Sequence, residues 1–190
     1  MLAPLLAVVA LLIRLEGGGP VIFAQERIGR GFRPFRIYKF RTMVAGADRN
    51  GDFVTVEGDS RITRLGRVLR KYKLDELPQL LNVVKGDMSL VGPRPEMRPY
   101  VELFRSEYEK LLRVRPGMTD PASLHYSGEE HLLAQAGDPE AEYVGRILPD
   151  KIGLSLGYVE NHTVMTDIKL IMRTVAKVSA GTPAGHDGRP

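Results

Sequence analysis

The sequence predicts an α/β protein of the α+β kind, mostly helical, with one small β-hairpin and an apolar amino-terminal helix that associates with a membrane. Three observations lead there. Residues 1–13, MLAPLLAVVALLI, carry no charged side chain. Two runs of strand type, VIFAQ at 21–25 and FRIYKFRTM at 35–43, flank a turn built on Gly29, Gly31 and Pro34. Beyond residue 60, apolar residues recur at helical spacing in one segment after another. A chain of 190 residues, 43% of them hydrophobic, fits one domain with an appendage and can bury a core.

The elements follow in order. As a helix the apolar run reaches about 20 Å at ~1.5 Å per residue, short of the ~30 Å hydrocarbon core, so it enters a bilayer without crossing it. No basic region precedes it and no small-residue cleavage site follows, which argues against a secretory signal. A buried core helix is the alternative. Gly17, Gly18, Gly19 and Pro20 end the helix, so the expected division is a membrane-associated helix at 1–16, a folded domain at 17–179 and a disordered tail at 180–190. The two strands form a hairpin. Ala45–Asp59, rich in Gly, Asp and Asn, reads as a surface loop or one that closes over a substrate.

Helix resumes near Thr63 with Leu65, Val68, Leu69 and Tyr72 on one face. A second helix is expected to start with Asp75 as its N-cap, Pro78 in the first turn, and Lys85 with Gly86 at the far end. Val101, Phe104, Tyr108 and Leu111 predict one amphipathic helix over 96–112, and RVRPGMT at 113–119 a tight reversal. Asp138 and Pro139 read as N-cap and first position of a helix running towards Leu148. A last helix over 166–179 places Ile168, Ile171, Met172, Val175 and Val178 on one side and Lys169, Arg173 and Lys177 on another. Such a basic amphipathic helix suits a membrane surface, and a helix packed on the core is the alternative.

The residues with chemistry are concentrated. KLDELPQ at 73–79 puts Asp75 beside Glu76, and MSLVGPRP at 88–95 sets Arg94 between Pro93 and Pro95. Residues 27–41 hold six basic side chains, Lys39 and Arg41 among them, and residues 61–73 hold six more, Arg70 among them, with no acidic residue in either window. That concentration points to an anionic partner: nucleic acid, a phosphorylated substrate or an acidic membrane surface. A carboxylate can attack phosphorus, a second can hold a divalent cation, and guanidinium groups can neutralise phosphate oxygens, so the cluster has the parts of a phosphoryl-transfer site. Asp75, with a reference pKa of ~3.9, needs no general base to act as a nucleophile at neutral pH. Capping alone would explain Asp75 but not its company. The absence of cysteine excludes disulfides and thiolate chemistry, and His125, His131, His162 and His186 lack close ligand spacing.

Three blocks carry a resemblance: GGPVIFAQERIGRGFRPFRIYKFRTM at 18–43, DSRITRLGRVLRKYKLDELPQLLNVVKGDMSLVGPRPE at 59–96 and VRPGMT at 114–119. In this order they resemble the bacterial sugar transferase family, the monotopic phosphoglycosyl transferases, over residues 1 to about 178. The resemblance implies transfer of a sugar phosphate from a UDP-sugar to polyprenyl phosphate, with release of UMP, at the cytoplasmic face of a bacterial inner membrane. It implies Asp75 as the nucleophile that becomes a covalent phosphosugar adduct, Glu76 as the magnesium ligand, Arg70 and Arg94 as phosphate contacts, and Pro93 and Pro95 as backbone of the nucleotide site. Lys39 and Arg41, on the second strand, are candidates for further phosphate contacts. The family's re-entrant helix bends inside one leaflet at a Ser-Pro pair; here Ala3 and Pro4 stand at that break, and the half that precedes it has no counterpart, so a weakened anchor is expected. TDPAS at 119–123 also departs from the usual Gly-rich, Gln-containing segment, so no sugar preference is carried over.

Two other classes compete with this reading. A basic nucleic-acid-binding module needs aromatics presented for base stacking, whereas Phe32, Phe35, Tyr38 and Phe40 suit the core and interface of a hairpin. A catalytically inactive membrane scaffold is argued against by the intact dyad and arginines. The expected partners are therefore a UDP-sugar, polyprenyl phosphate and an anionic lipid surface, with no nucleic acid; an oligomer is compatible with the sequence.

Overall fold

The computed structural model describes residues 2–47 and 54–180. The apolar run forms α1, Leu2–Gly17. Pro4 lies in its first turn, where an amide hydrogen would have no intrahelical partner, and the helix continues past it unbroken. Val9 and Ile13, with Leu6 and Ala10 beside them, pack on Phe40 and Leu69. Leu5, Val8, Leu11, Leu12 and Leu15 stay exposed. One stripe of α1 is therefore core, and the remainder is an apolar face without a protein partner among the described residues.

Gly18 and Gly19, both at positive φ, turn the chain into the hairpin. Its strands β1, Ile22–Ile28, and β2, Pro34–Phe40, pair antiparallel from Ile22 opposite Phe40 to Ile28 opposite Pro34. The second strand stops three residues before the expected Met43 because the chain there changes partner. Thr63 N–H donates to the Thr42 carbonyl, and Met43 bridges Ile62 instead of β1. Thr63 caps α2, Arg64–Lys71, by accepting from Gly66 N–H at 2.9 Å. Gly66 presses on that same segment: a Cβ there would lie 2.1 Å from the Thr42 carbonyl oxygen.

Asp75 is not the N-cap expected of it. Lys73 takes that place in the left-handed region, φ +50°, and Leu74–Gln79 follows as a 3-10 helix before α3, Leu80–Lys85. Pro78, inside this turn, supplies no amide hydrogen to it. The dyad thus lies inside the turn and the Asp75 carboxyl is released from capping. Gly86, φ +81°, ends α3 as expected.

RVRPGMT is no simple reversal. Gly117–Thr119 forms β4, parallel to β3, Ser89–Val91, with Ser89 opposite Gly117 and Val91 opposite Thr119. The two chains approach so closely that a Cβ on Gly117 would lie 2.1 Å from Gly92 N. Between these strands the single expected helix is two, α4, Arg98–Leu103, and α5, Arg105–Leu111, broken at Phe104. The break turns Tyr100 and Val101 of one piece and Tyr108 and Leu111 of the other onto one core, shared with Ile28, Leu133, Tyr143, Ile147 and Leu148.

Two short helices had no sequence expectation: α6, Pro121–His125, capped by Asp120, and α7, Glu129–Ala134. The Asp138 cap and Pro139 open α8, Pro139–Glu142, as expected. The helical path then runs beyond Leu148, through a π turn at Tyr143–Ile147 into α9, Leu148–Asn161. The last helix, α10, is Val164–Ala180. Its expected apolar side is split. Leu170 and Ile171 pack inward, Thr174 hydrogen-bonds Thr119 at 2.7 Å, and Lys177 donates to the Leu124 carbonyl. Val164, Met165, Ile168, Met172 and Val175 face out. Among the described residues no helix is long and apolar enough to cross a membrane. The expected tail beyond Ala180 and the middle of the expected loop, residues 48–53, lie outside the described residues.

Candidate active site

The 3-10 turn sets Asp75 and Glu76 side by side against β2, and both are buried, at 6% and 8% exposure. Glu76 is fully engaged. Arg94 Nη1 donates to its Oε2 at 3.0 Å, Arg94 Nη2 donates to Oε1, and Lys39 Nζ donates to Oε1 at 3.2 Å. Burial works to raise the Glu76 pKa, but the charges of Arg94 and Lys39 prevail and hold the carboxyl well below its usual range. Asp75 differs. Burial, then the neighbouring Glu76 charge, push its pKa up, against the pull of Lys39, Lys73 and Arg70. Its Oδ1 is buried and has no hydrogen-bond partner among the described residues. Asp75 is therefore not the ordinary carboxylate its reference pKa implies; this carboxylate lacks the countercharge that its neighbour has taken. Burial lowers the pKa of Lys39 although Glu76 opposes it, while the Glu76 charge raises that of Arg94.

Arg94 reaches the dyad from the Pro-Arg-Pro segment that follows β3. The Pro93 carbonyl accepts from Gly117 N–H at 2.9 Å, and Arg94 Nη1 also donates to the Met118 carbonyl at 3.3 Å. Pro93 and Pro95 are buried. Just beyond, Glu96 accepts from Arg27 at 3.2 Å and from the Tyr143 hydroxyl at 2.8 Å, and its carbonyl accepts from Ile28 N–H. The segment is thus bound on one side to β4 and on the other to the hairpin, which fixes the direction of Arg94.

Arg70 lies in the last turn of α2 and hydrogen-bonds neither carboxylate of the dyad. Its Nε donates to Thr42 Oγ1 at 3.0 Å and its Nη1 to Glu130 Oε1 on α7 at 2.7 Å. Arg41 lies at the foot of α1. Its guanidinium packs against the turn after the helix, 2.6 Å from where a Cβ on Gly19 would stand, and its Nη1 is buried without a partner. The structure therefore brings together Asp75, Glu76, Lys39 and Arg94, keeps Arg70 at the margin, and sets Arg41 apart. Sequence reasoning did not single out Lys73, Thr42, Glu130 or Gln79. Gln79 stands inside the quoted KLDELPQ motif and could have been found there; Glu130, 60 residues from Arg70, had no local signal.

Among the described residues no three His, Asp or Glu side chains gather as a cage for a metal ion. The dyad instead offers hard carboxylate oxygens, one of them unpaired, next to cations that suit phosphate. Such a donor set fits magnesium, which takes one or two protein carboxylates and completes its shell with water and substrate phosphate oxygens.

A family model described as bacterial sugar transferase matches residues 1–181. This chain belongs to the bacterial sugar transferase family. Among similar proteins, the UDP-N-acetylgalactosamine-undecaprenyl-phosphate N-acetylgalactosaminephosphotransferase of Aeromonas hydrophila is 39% identical over 184 residues, 95% of this chain and 40% of that protein. The UDP-glucose:undecaprenyl-phosphate glucose-1-phosphate transferase of Caulobacter vibrioides is 38% identical over 178 residues, covering 92% of this chain and 62% of that one. The exopolysaccharide production protein PSS of Rhizobium leguminosarum bv. phaseoli is 41% identical over 182 residues, covering 92% and 86%. This bacterial sugar transferase chain thus spans less than two thirds of the first two relatives. Its dyad, Arg94 and parallel β3–β4 pair all fall within the matched region.

Proposed function

We propose that this chain transfers a sugar phosphate from a UDP-sugar to undecaprenyl phosphate, releasing UMP, in two displacements at Asp75. One observation carries the reading: in a buried dyad, Glu76 is neutralised by Arg94 and Lys39, while Asp75 has no such cation bonded to it among the described residues and its Oδ1 is unpartnered. In the first step an Asp75 carboxylate oxygen attacks the phosphorus bearing the sugar. A P–O bond forms there, the bond to the UMP oxygen breaks, and that oxygen takes the electron pair. In the second step an oxygen of undecaprenyl phosphate attacks the same phosphorus and the Asp75 carboxylate leaves. No proton has to be stored between the steps. Arg94, held by Glu76 and Met118, is preoriented to neutralise phosphate oxygens as charge moves onto the departing group. Arg70 would join it by exchanging Glu130 for phosphate, and Lys39 lies close enough to contribute.

Magnesium is the expected cofactor; Glu76 would hold it by giving up a contact to Lys39 or Arg94, and the ion would supply positive charge against the repulsion between carboxylate and diphosphate. The relatives named for undecaprenyl phosphate support that acceptor and a bacterial cytoplasmic membrane as the place of work. The outward apolar faces of α1 and α10 support a catalytic domain at 17–179 seated on the cytoplasmic membrane surface by the helix at 1–16, entering one leaflet from the first-turn Pro4 onward. Anionic lipid suits the basic residues.

The test is direct. Incubated with magnesium and a panel of UDP-sugars, without acceptor, the chain should release UMP stoichiometrically and carry a sugar phosphate on the peptide containing Asp75 by mass spectrometry. Asp75→Asn should give neither. Label on another residue, or turnover surviving the substitution, overturns the assignment.

A further inference from the structure

Two buried amides lie within one turn of each other in the segment that follows the dyad, and they are treated differently. Asn82, fully buried, is satisfied at both ends. Its Oδ1 accepts from Tyr38 N–H at 3.2 Å and its Nδ2 donates to the Arg36 carbonyl at 2.7 Å, so this amide ties the segment to β2. Gln79 is equally buried, with 0% exposure, yet neither its Nε2 nor its Oε1 has a hydrogen-bond partner among the described residues. A buried amide left unsatisfied destabilises the fold, and among the described residues this one makes no hydrogen bond in return. Four residues earlier, within the same helical run, Asp75 Oδ1 is also buried and unpartnered. Both side chains leave the same short turn; in its 3-10 geometry residues three apart eclipse, so Asp75 and Gln79 are offset around the axis and a side-chain rotation has to bring them together. The unmatched atoms are complementary, since a carboxylate oxygen only accepts and an amide Nε2 donates two hydrogens.

We propose that Gln79 is a positioning residue for the Asp75 carboxylate, donating from Nε2 to Oδ1 in the reacting complex and so leaving Oδ2 as the atom that attacks phosphorus. This inference rests on the reading of Asp75 as nucleophile. A carboxylate held by one oxygen keeps its plane fixed while the other oxygen approaches in line, and misplacement by about 1 Å can cost on the order of 100-fold in rate. The same hydrogen bond gains a second use after the first step. Once Oδ2 is bonded to phosphorus, Oδ1 is the carbonyl oxygen of a mixed anhydride. A donor on that oxygen draws electron density towards it and eases departure of the carboxylate when the acceptor phosphate attacks. As Oδ2–P breaks, the electron pair returns to Asp75, and Gln79 holds the re-formed carboxylate. One amide thereby serves both displacements without exchanging a proton.

The experiment uses the full chain with lipid and magnesium and follows the two half-reactions separately: UMP release and adduct formation without acceptor, then adduct decay when polyprenyl phosphate is added. Gln79→Met removes the donor at similar volume. It should fold with an unfolding midpoint at or above that of the parent, because an unsatisfied polar group leaves the interior. It should slow both half-reactions, by about 10- to 100-fold each. Unchanged half-reactions overturn the proposal, and so does a rate loss matched by a loss of folded protein. An infrared readout on the unsubstituted chain, with its aspartates carbon-13 labelled, is independent of the variant's folding. The carbonyl stretch of the trapped adduct should lie below that of a free acyl phosphate in water-poor solvent, as a hydrogen bond requires, and a stretch at the free value overturns the proposal. Failure of the underlying reading looks different: no adduct forms on Asp75 in the unsubstituted chain. An adduct on Asp75 that is indifferent to Gln79→Met sinks this inference alone.

Discussion

Glu76 holds the site together electrostatically, since two half-buried cations, Arg94 and Lys39, converge on one buried carboxylate. Glu76→Gln strands both, and since each keeps a quarter of its side chain in solvent the loss should fall below the ~3–5 kcal/mol of a fully buried pair. Urea unfolding should register that loss alongside abolished UMP release; a variant as stable as the parent would show that the cations are solvated instead. A second ionic contact predicts a pH effect. Asp59 is bonded by Arg61 Nη2 at 2.7 Å and by Arg61 N–H at 2.9 Å, and the Arg61 side chain, then its backbone, hold the Asp59 carboxyl below its usual range against the opposing effect of burial. A folded-state pKa below the unfolded value of ~3.9 stabilises the fold above that pH, and the contribution fades as pH falls through the lower folded value. Asp59→Asn should therefore lower the thermal midpoint at pH 7, with the difference closing below about pH 4. A gap that persists undiminished at acid pH would assign the loss to packing. At this scale part was legible: the adjacency of Asp75 and Glu76 and the place of Arg94 between two prolines stand in the sequence, whereas nothing in the spacing distinguished Lys39, which reaches Glu76, from Arg41, which does not. The partners of Arg70 were not legible either, because Thr42 and Glu130 reach it only through folding.

At the scale of elements, the short parallel pair β3–β4 aims Arg94, and its closeness depends on glycine. With 2.1 Å between a Cβ on Gly117 and Gly92 N, Gly117→Ala must push backbone against backbone. It should destabilise by about 1–3 kcal/mol, the range of overpacking, and lower turnover by displacing the Pro93 carbonyl and Arg94. Full turnover with a normal melting curve would mean that the strands separate freely. The sequence suggested a simple reversal here because Pro116–Gly117 is a turn signal in isolation; pairing with Ser89–Val91 overrides it. The Asp75 cap failed for a related reason. An aspartate before a proline-containing helix has the right local chemistry, but Lys73 in the left-handed region starts the turn two residues earlier. The Asp138–Pro139 start held, and Asp120–Pro121 repeats the same arrangement, with Asp120 accepting from Ser123 N–H at 2.8 Å and also from Ser155 on α9. The hairpin aromatics proved structural, as their pattern implied: Phe40 is core, while Tyr38 and Phe32 carry Lys85 and Arg105 over their rings.

For the whole molecule, α1 has two different apolar surfaces, and they predict separable phenotypes. Val9 is buried against the hairpin and α2, whereas Val8 is 55% exposed. Val9→Asp should destabilise the folded domain and reduce activity with it, as burial of an uncompensated carboxylate requires. Val8→Asp should leave the unfolding curve in place and weaken co-sedimentation with anionic vesicles, if the outward face meets lipid. Equal vesicle binding by parent and Val8→Asp would remove α1 from the membrane contact. Hydropathy alone announced an apolar helix but could not divide it, because which stripe is covered depends on where Phe40 and Leu69 come to rest.

The sequence by itself determined the family and which residues suited to phosphate chemistry stand near one another, since three ordered blocks, a carboxylate dyad, a Pro-Arg-Pro segment and two basic windows are properties of residue type and short spacing. Only the tertiary structure decided how charge is shared. Glu76 takes both neighbouring cations and leaves Asp75 with an unpaired oxygen, while Arg70 waits on Glu130. Electrostatic energy depends on distances of a few ångströms through a medium of low polarity, and those distances exist only once β2, the dyad turn and the β3–β4 pair have packed together.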